Sequence, residues 1–451
     1  MNKVLAKILC ASVITALFAL GANADNAVPH DAADGIDGVD TIDSIDSIDT
    51  APSGLEAVEP AQTFASGFVR GLRGIADSTG LAKFAVGDGW KMLLMAVAGF
   101  FLLWLGVAKG VEPLLMIPIG FGAILANAPG AGMAEASGFL DNIFKVGIKT
   151  EVLPILVFMG IGAMSDFGPL IANPRVALLG AAAQLGVFGT LIGVVALNNA
   201  FGWGFGIKEA CAVSIIGAAD GPTSIFLSEK YAPSHIGAIT VAAYSYMAMV
   251  PLIQPPVMRL LTSKAERAIR MAPVDATKIG KKEKLLFPLL IFTICVLFLP
   301  TALPLLGSFC FGNFVSECGC ADRLASCLKN ELMNISTILL GLGVGAQLAA
   351  AEFLSPVTLG IFFLGLAAFA IGTAGGVLFA KLMNVFSPHN PVNPLIGSAG
   401  VSAFPMAARV SHTEGQRADP DNYLIFHAMG ANLAGQVGST VAAGVILALL
   451  G

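Results

Sequence analysis

Uncharged runs long enough to cross a lipid bilayer recur along this 451-residue chain and leave few folds open to it. They cover Met92 to Ala108, Pro113 to Ala134, Val176 to Ile207, Tyr231 to Met258, Leu285 to Ser316, Leu332 to Ala351, Phe353 to Ala380 and Asn422 to Gly451. A spanning helix needs roughly 17 to 25 apolar residues, and each run approaches or exceeds that length. Charged residues make up 12% of the chain, against about a quarter in soluble proteins, so the expected partner is the bilayer and not nucleic acid. The weak ten-residue alternation of an outer-membrane barrel is absent. The chain therefore reads as an all-α polytopic membrane protein.

Residues 1–24 differ from the rest. A short basic head (MNKVLAK), an apolar core (ILCASVITALFALG) and small residues at Ala22 and Ala24 form the pattern of a cleavable signal peptide, with an uncleaved anchor helix as the alternative. In residues 25–85, which are polar, Asp recurs at every third position from Asp34 to Asp49. That spacing has no sustained apolar face and lacks the glycine-turned loop of calcium sites, so it predicts a disordered, self-repelling acidic linker. The membrane domain is expected over 86–451.

Orientation follows from the segment 259–284, where Arg259, Lys264, Arg267, Arg270, Lys278, Lys281, Lys282 and Lys284 outnumber Glu266, Asp275 and Glu283. Such an excess in a short loop marks the cytoplasmic side. If the chain then crosses outward, Leu306 to Lys329 lies outside with Cys310, Cys318, Cys320 and Cys327, and one or two disulfides are expected there. A zinc site fits less well, because no histidine accompanies these cysteines. Cys211 and Cys295 fall in apolar runs and read as packing residues.

The chain also resembles itself. ILVFMGIGAMSDFGPL near Gly160 is similar to STILLGLGVGAQLAAAEFL near Gly343, and each is followed by a small-residue-rich helix and then by a broken, glycine-rich segment. With Lys145 and Lys149 placed on the cytoplasmic side, the copies (about 151–258 and 332–451) form inverted repeats with two broken helices. Broken helices at matching positions of inverted halves point to an ion or substrate site near the bilayer midplane, where unwound carbonyls and helix ends coordinate ions. The first broken segment, IIGAADGPTSIF, carries Asp220 with Gly221, Pro222, Thr223 and Ser224. Asp-Gly-Pro is also a common turn, but a carboxylate between apolar runs is functional by default. One carboxylate among neutral oxygens suits Na⁺ better than Ca²⁺. The second, NPVNPLIGSAGVSAFPMAAR, carries Asn390, Asn393, Ser398 and Ser402, then Arg409, which either holds a carboxylate or snorkels from a helix end. Tyr246 is a proton donor or an interface aromatic, Asp166 a helix terminator, and His235, His389, His412 and His427 have no metal-like spacing.

VFMGIGAMSDFGPLIANPR, GAADGPTSIFLSEKYAP, AAYSYMAMVPLIQPPVMR, LLGLGVGAQL and NPLIGSAGVSAFPMAARVS together resemble the β subunits of the biotin-dependent Na⁺-pumping decarboxylases, over roughly Val86 to Gly451. Members of that family act on oxaloacetate, methylmalonyl-CoA, glutaconyl-CoA or malonate. The resemblance implies a bacterial inner-membrane subunit that receives carboxybiotin from a separate carboxyltransferase subunit and decarboxylates it. Na⁺ moves outward in the process and an external proton is consumed. It also implies small γ subunits, a trimer of β subunits, and an elevator-like motion of a core domain against a scaffold. The family's essential aspartate matches Asp220, its tyrosine matches Tyr246, and its second broken helix matches Asn393, Gly397, Ser402 and Arg409.

Carboxybiotin loses CO2 most readily when its carboxylate is desolvated and a proton reaches the ureido nitrogen. On that chemistry Arg409 orients the carboxylate, Tyr246 or Ser402 relays the proton, and Asp220 exchanges Na⁺ for H⁺; Asn393, Gly397 and Ser402 complete the expected Na⁺ site. The signal-like head, the Asp-rich linker and the cysteine-rich segment depart from the family pattern. Lys91 in GWKMLL has no biotin-attachment context, so biotin arrives on another chain, for which the basic loop offers a docking face. The competing readings are a Na⁺-coupled secondary carboxylate transporter, which the inverted repeats alone support equally, and a structural membrane anchor, which leaves Asp220 unexplained.

Overall fold

The computed structural model describes residues 79–272 and 279–451, together with Val69, Gly71 and Gly74. The expected signal or anchor segment, most of the Asp-rich linker and Lys278 of the basic loop lie outside the described residues. The chain divides into two units, Met1–Trp90 and Lys91–Gly451. In the first, the end of the segment read as a linker is a short helix, Gly80–Phe84, whose Ala82 N–H is accepted by the Thr79 side chain.

No strand occurs among the described residues. In hydrocarbon each backbone N–H and C=O must find a partner within its own segment, and helices satisfy that demand. In chain order the principal helices are α1 (Gly89–Lys109), α2 (Pro113–Ala126), α3 (Val152–Met164), α4 (Pro174–Phe201), α5 (Ile207–Ser214), α6 (Gly221–Tyr231) and α7 (Ile236–Leu261). They continue with α8 (Lys281–Phe298), α9 (Leu303–Cys318), α10 (Met333–Ala346), α11 (Pro356–Phe386), α12 (Leu395–Ser398), α13 (Met406–Ala418) and α14 (Ile425–Leu450). Five of these, α1, α4, α7, α11 and α14, are long and apolar enough to cross a membrane. A sixth span is counted if Phe139–Ile148 and α3, which meet at a 62° bend, are taken as one.

Helix α7 supplies an axis: it rises about 39 Å at 1.5 Å per residue. It begins beside His235 (the far end) and finishes at Arg259, where the basic loop starts (the basic end). Against that axis the two broken segments are re-entrant hairpins that open to opposite ends. At the mouth of the first, the Lys208 ammonium of α5 lies 5.3 Å from the ring of Tyr231 at the end of α6. That mouth is at the far end, because Phe205 packs on His235. At the mouth of the second, Asn393 ahead of α12 and Asn422 beyond α13 both donate to the carbonyl of Arg267, at the basic end. The tips touch where the Ser402 N–H donates to the Ala218 carbonyl at 3.0 Å.

Small residues set these approaches. A Cβ on Gly217 would overlap the backbone of Gly186 in α4, one on Gly397 that of Gly376 in α11, and one on Gly435 in α14 that of Gly400. Between helices in lipid, where no hydrophobic drive operates, close backbone contact of this kind holds the bundle together.

Two topological expectations are corrected. The run from Leu285 to Ser316 does not carry the chain to the end opposite the basic loop. Its helix stops ahead of Pro300, a short turn (Pro300–Ala302) follows, and α9 packs back along α8, so that the Lys281 ammonium lies against Gly319 just beyond α9. Cys318 and Cys320 therefore stand at the basic end. Proline, which lacks an N–H and disfavours helix in the residue before it, makes one long apolar run into two short antiparallel helices. Lys145 and Lys149 are likewise not on the basic-loop side. Phe144 lines a far-end cavity with Pro233, Ser234 and His235, whereas Asp166, after α3, pairs with Lys284 at 2.8 Å. Lys145 is paired with Asp141, so its charge is a weak guide to sidedness.

Candidate cation site at the hairpin tips

Asp220 ends the tip of the first hairpin and caps α6. Ala219 before it takes a left-handed φ of 53°, which reverses the chain, and Pro222 occupies the first turn of α6, where a missing N–H costs nothing. Asp-Gly-Pro turns the chain at this position, and it does so in the interior and not at the surface. Asp220 is 1% exposed.

Its carboxylate is held by two helices. Oδ2 accepts from Thr223 Oγ1 at 2.7 Å, Ser439 Oγ at 2.5 Å and Gln436 Nε2 at 3.0 Å, and Oδ1 accepts from the Thr223 N–H at 3.3 Å. Ser224 Oγ donates to the Asp220 carbonyl at 2.7 Å. Gln436 and Ser439 belong to α14, more than 200 residues away in sequence. The Tyr244 ring packs against Gly221, and its hydroxyl is buried without a partner.

The second tip brings mostly backbone carbonyls, each held by an amide side chain. Asn432 Nδ2 donates to Ala399 O at 3.0 Å and Val401 O at 2.7 Å, and Gln254 Nε2 to Ser398 O at 2.9 Å; Gln184 Nε2 donates at 3.3 Å to the carbonyl of Gly435 in α14, which packs on this tip through that glycine. Ser402 Oγ donates to Gly435 O at 2.8 Å. The other ends of these amides, Gln184 Oε1, Gln254 Oε1 and Asn432 Oδ1, are buried acceptors with no partner. A buried unsatisfied acceptor costs about 1–3 kcal/mol, and either a hydrogen-bond donor or a desolvated cation can supply the partner. One carboxylate beside neutral oxygens fits a monovalent ion of Na⁺ type.

Of the residues singled out from sequence, Asp220, Thr223, Ser224 and Ser402 meet at the tips. Asn393 lies at the basic-end mouth, where its amide donates to Arg267 O at 2.9 Å and Ile269 O at 2.8 Å while Oδ1 accepts from Leu395 N. Gly397 packs on Gly376. Tyr246 is buried on another face of α7 from Tyr244, with its ring 5.2 Å from Phe362 and against Gly365 of α11. Arg409 is exposed on α13. Its charge acts on Glu112 in the turn between α1 and α2, whose carboxyl burial pushes upward while Arg409 opposes the shift.

Gln436, Ser439, Asn432, Gln184, Gln254 and Tyr244 were not foreseen. The signal for α14 was present, because Asn432, Gln436, Ser439 and Thr440 in AMGANLAGQVGST recur at helical spacing on one face of an apolar helix.

The basic loop is largely committed to internal contacts. Arg259 forms a bidentate pair with Glu414 of α13 at 2.7 and 2.8 Å, and Arg270 pairs with Asp419 at 2.6 and 2.9 Å and with Asp421 at 3.2 Å. Lys381 of α11 reaches Glu266 at 2.9 Å. These contacts tie the loop to the mouth of the second hairpin and leave Lys264 and Lys282 exposed.

Comparison with known proteins accords with this geometry. The model of the Na⁺-transporting oxaloacetate decarboxylase beta subunit family matches residues 91–450. The chain is 48% identical over 423 residues to the oxaloacetate decarboxylase beta chain of Klebsiella pneumoniae, covering 82% of this chain and 96% of the relative. It is 52% identical over 384 residues to the glutaconyl-CoA decarboxylase subunit beta of Acidaminococcus fermentans (85% and 99% covered). To the methylmalonyl-CoA decarboxylase subunit beta of Propionigenium modestum it is 48% identical over 398 residues (83% and 98%). A multi-pass, all-helical bundle with a buried carboxylate at its centre and this breadth of likeness belongs to the Na⁺-transporting decarboxylase beta subunit family.

Proposed function

We propose that this chain decarboxylates carboxybiotin carried on a partner carboxyltransferase subunit and couples that step to Na⁺ export, with an external proton consumed. The observation that carries the reading is Asp220, buried where two hairpins that open to opposite ends meet tip to tip. A site so placed is separated from each end by one hairpin, which is the geometry alternating access requires. The opposite directions of the hairpins also favour the inverted-repeat reading, and the charge excess of the basic loop favours a cytoplasmic basic end in a bacterial inner membrane. Small γ subunits, a trimer of this chain and an elevator-like motion belong to the same proposal.

Asp220 holds Na⁺ together with the hydroxyls of Thr223 and Ser439 and amide oxygens near the tips, and takes a proton when the ion leaves. Tyr244, with a free buried hydroxyl beside Gly221, and Ser402 at the second tip stand where a proton is passed on. Tyr246, whose buried hydroxyl also lacks a partner, seats α7 on α11 and is the second candidate to relay the proton. Asn393 and Gly397 serve the Na⁺ site by seating the second hairpin. Arg409 offers an exposed guanidinium to a carboxylate. Carboxybiotin supplies a carboxyl group that leaves as CO2 once its nitrogen is protonated, and the chain's part is to orient that carboxylate, exclude water and deliver the proton. Coupling requires that Na⁺ and carboxybiotin each bind one access state better than the other.

The test is CO2 release from added carboxybiotin by the complex reconstituted with its partner subunits, titrated with Na⁺, for the native chain and Asp220→Asn. The expected result is Na⁺-stimulated decarboxylation that the substitution reduces by at least about 100-fold, a loss of roughly 2.7 kcal/mol of transition-state stabilisation. Decarboxylation indifferent to both Na⁺ and Asp220 removes the coupling role. Carboxylate uptake without decarboxylation replaces the reading with a carrier.

A further inference from the structure

Cys318, Gly319 and Cys320 follow one another at the C-terminus of α9, and none of them takes part in the proposed pump chemistry. The Cys320 thiol points at Cys318, with the sulfurs 3.5 Å apart. Gly319 between them takes a φ of +66°, which folds the chain back and brings two side chains of nearly adjacent residues together. The Lys281 ammonium lies against Gly319, so a cation stands beside the pair. Cys320 is exposed and Cys318 half-exposed, with the Cys318 thiol donating to the Val315 carbonyl at 3.1 Å, whereas Cys211, Cys295 and Cys310 are buried.

We infer that Cys318 and Cys320 form a thiol–disulfide exchange site at the basic end, which takes small disulfides of the glutathione class. Exposure, a neighbouring cation and a second thiol in contact are the features that separate a reactive dithiol from a packing cysteine. The position of the pair matters too. At the oxidising outer face such a pair would close once and persist as a staple. At the end that carries the basic loop it faces a reducing compartment, where a two-cysteine ring across one glycine opens and closes with the surrounding thiol poise. The inference rests on the proposed cytoplasmic placement of the basic end and not on the decarboxylase chemistry.

The exchange is balanced. The Cys318 thiolate attacks one sulfur of the small disulfide, forming a mixed disulfide and releasing one thiolate. The Cys320 thiolate then attacks Cys318 Sγ, closing the Cys318–Cys320 bond and expelling the second. The protons lost by the two cysteines end on the two released thiols, so the dithiol is oxidised by two electrons and the small disulfide is reduced by two.

The full-length protein in membrane vesicles is equilibrated with mixtures of reduced and oxidised glutathione, blocked with N-ethylmaleimide, and read by peptide mass spectrometry. The expected result is that Cys318 and Cys320 lose their alkylation together as the mixture becomes oxidising. Their peptide becomes lighter by two hydrogens, Cys327 stays alkylated, and the change reverses on return to reduced glutathione. Cys320→Ser should trap glutathione on Cys318, while Cys318→Ser should leave Cys320 at least about tenfold less modified. Full alkylation of both cysteines in every mixture, a bond to Cys327, or a pair oxidised on isolation and resistant to reduced glutathione would each overturn the inference.

Discussion

The two hairpins meet at the same place but are secured differently. The first opens to the far end and brings the carboxylate; its mouth is held by Lys208 over Tyr231 and by the Tyr231 hydroxyl on Leu447 O at 3.3 Å, beside the cavity at His235. The second opens to the basic end and brings neutral oxygens; its mouth is closed by the Arg259–Glu414 and Arg270–Asp419 pairs and by Asn393 and Asn422 on Arg267. A buried carboxylate lies at the tip of the first hairpin, and carboxylate–guanidinium pairs lie at the mouth of the second. Under the proposed function the tip carboxylate holds the ion while the paired charges fix the second helix pair in place, whereas the first mouth rests on Lys208 over an aromatic ring.

Replacing Glu414 attacks this contrast most strongly. Glu414 is 2% exposed and accepts from Arg259 and Arg417, whereas Arg259 is half-exposed, so Glu414→Gln is expected to cost about 2 kcal/mol and not the full penalty of a buried pair. Amide exchange over 406–418 should then quicken by roughly 30-fold with 207–231 unchanged. Equal quickening of both hairpins would show that the two mouths are not independently secured.

A smaller effect sharpens the comparison at the tips. Gln436→Leu removes one of the donors on Asp220 and leaves the fold intact. The loss of about 1.5 kcal/mol should raise the Na⁺ concentration for half-maximal decarboxylation roughly tenfold, with the maximal rate kept. An unchanged Na⁺ dependence would take α14 out of the cation site.

The smallest effect concerns pH. Arg270, hydrogen-bonded to Asp419, holds that carboxyl below its ordinary value. A carboxyl whose folded value is depressed adds stability above its unfolded value of about 4 and loses it as pH falls through the still lower folded value. Amide hydrogen exchange over 262–272, corrected for its intrinsic pH dependence, should therefore quicken only as pH falls below about 4, and by little, since the pair is solvent-exposed. Corrected exchange already quickening near neutral pH would show that the mouth is secured elsewhere.

Much of the site was legible residue by residue and little of it as an arrangement. Asp220 stood out because a carboxylate between apolar runs has few other reasons to be there, and Thr223 and Ser224 could be grouped with it because they follow within one helical turn. The polar face of α14 was passed over because Gln and Ser in a small-residue helix look the same whether they face a neighbour's backbone or a carboxylate. Tyr244 and Tyr246 could not be told apart, since two residues on a helix point to different faces and only packing says which face meets the site.

Composition and local pattern by themselves determined the helical membrane class, the central carboxylate and the basic loop, because each depends on what a segment costs to place in hydrocarbon or water. Tertiary structure alone decided that both broken segments turn back instead of crossing, that α8 and α9 return Cys318 and Cys320 to the basic end, and that α14 completes the shell of Asp220. Those outcomes rest on backbone contacts between distant glycines and on hydrogen bonds across more than 200 residues, and no local preference specifies which way a chain runs after it breaks.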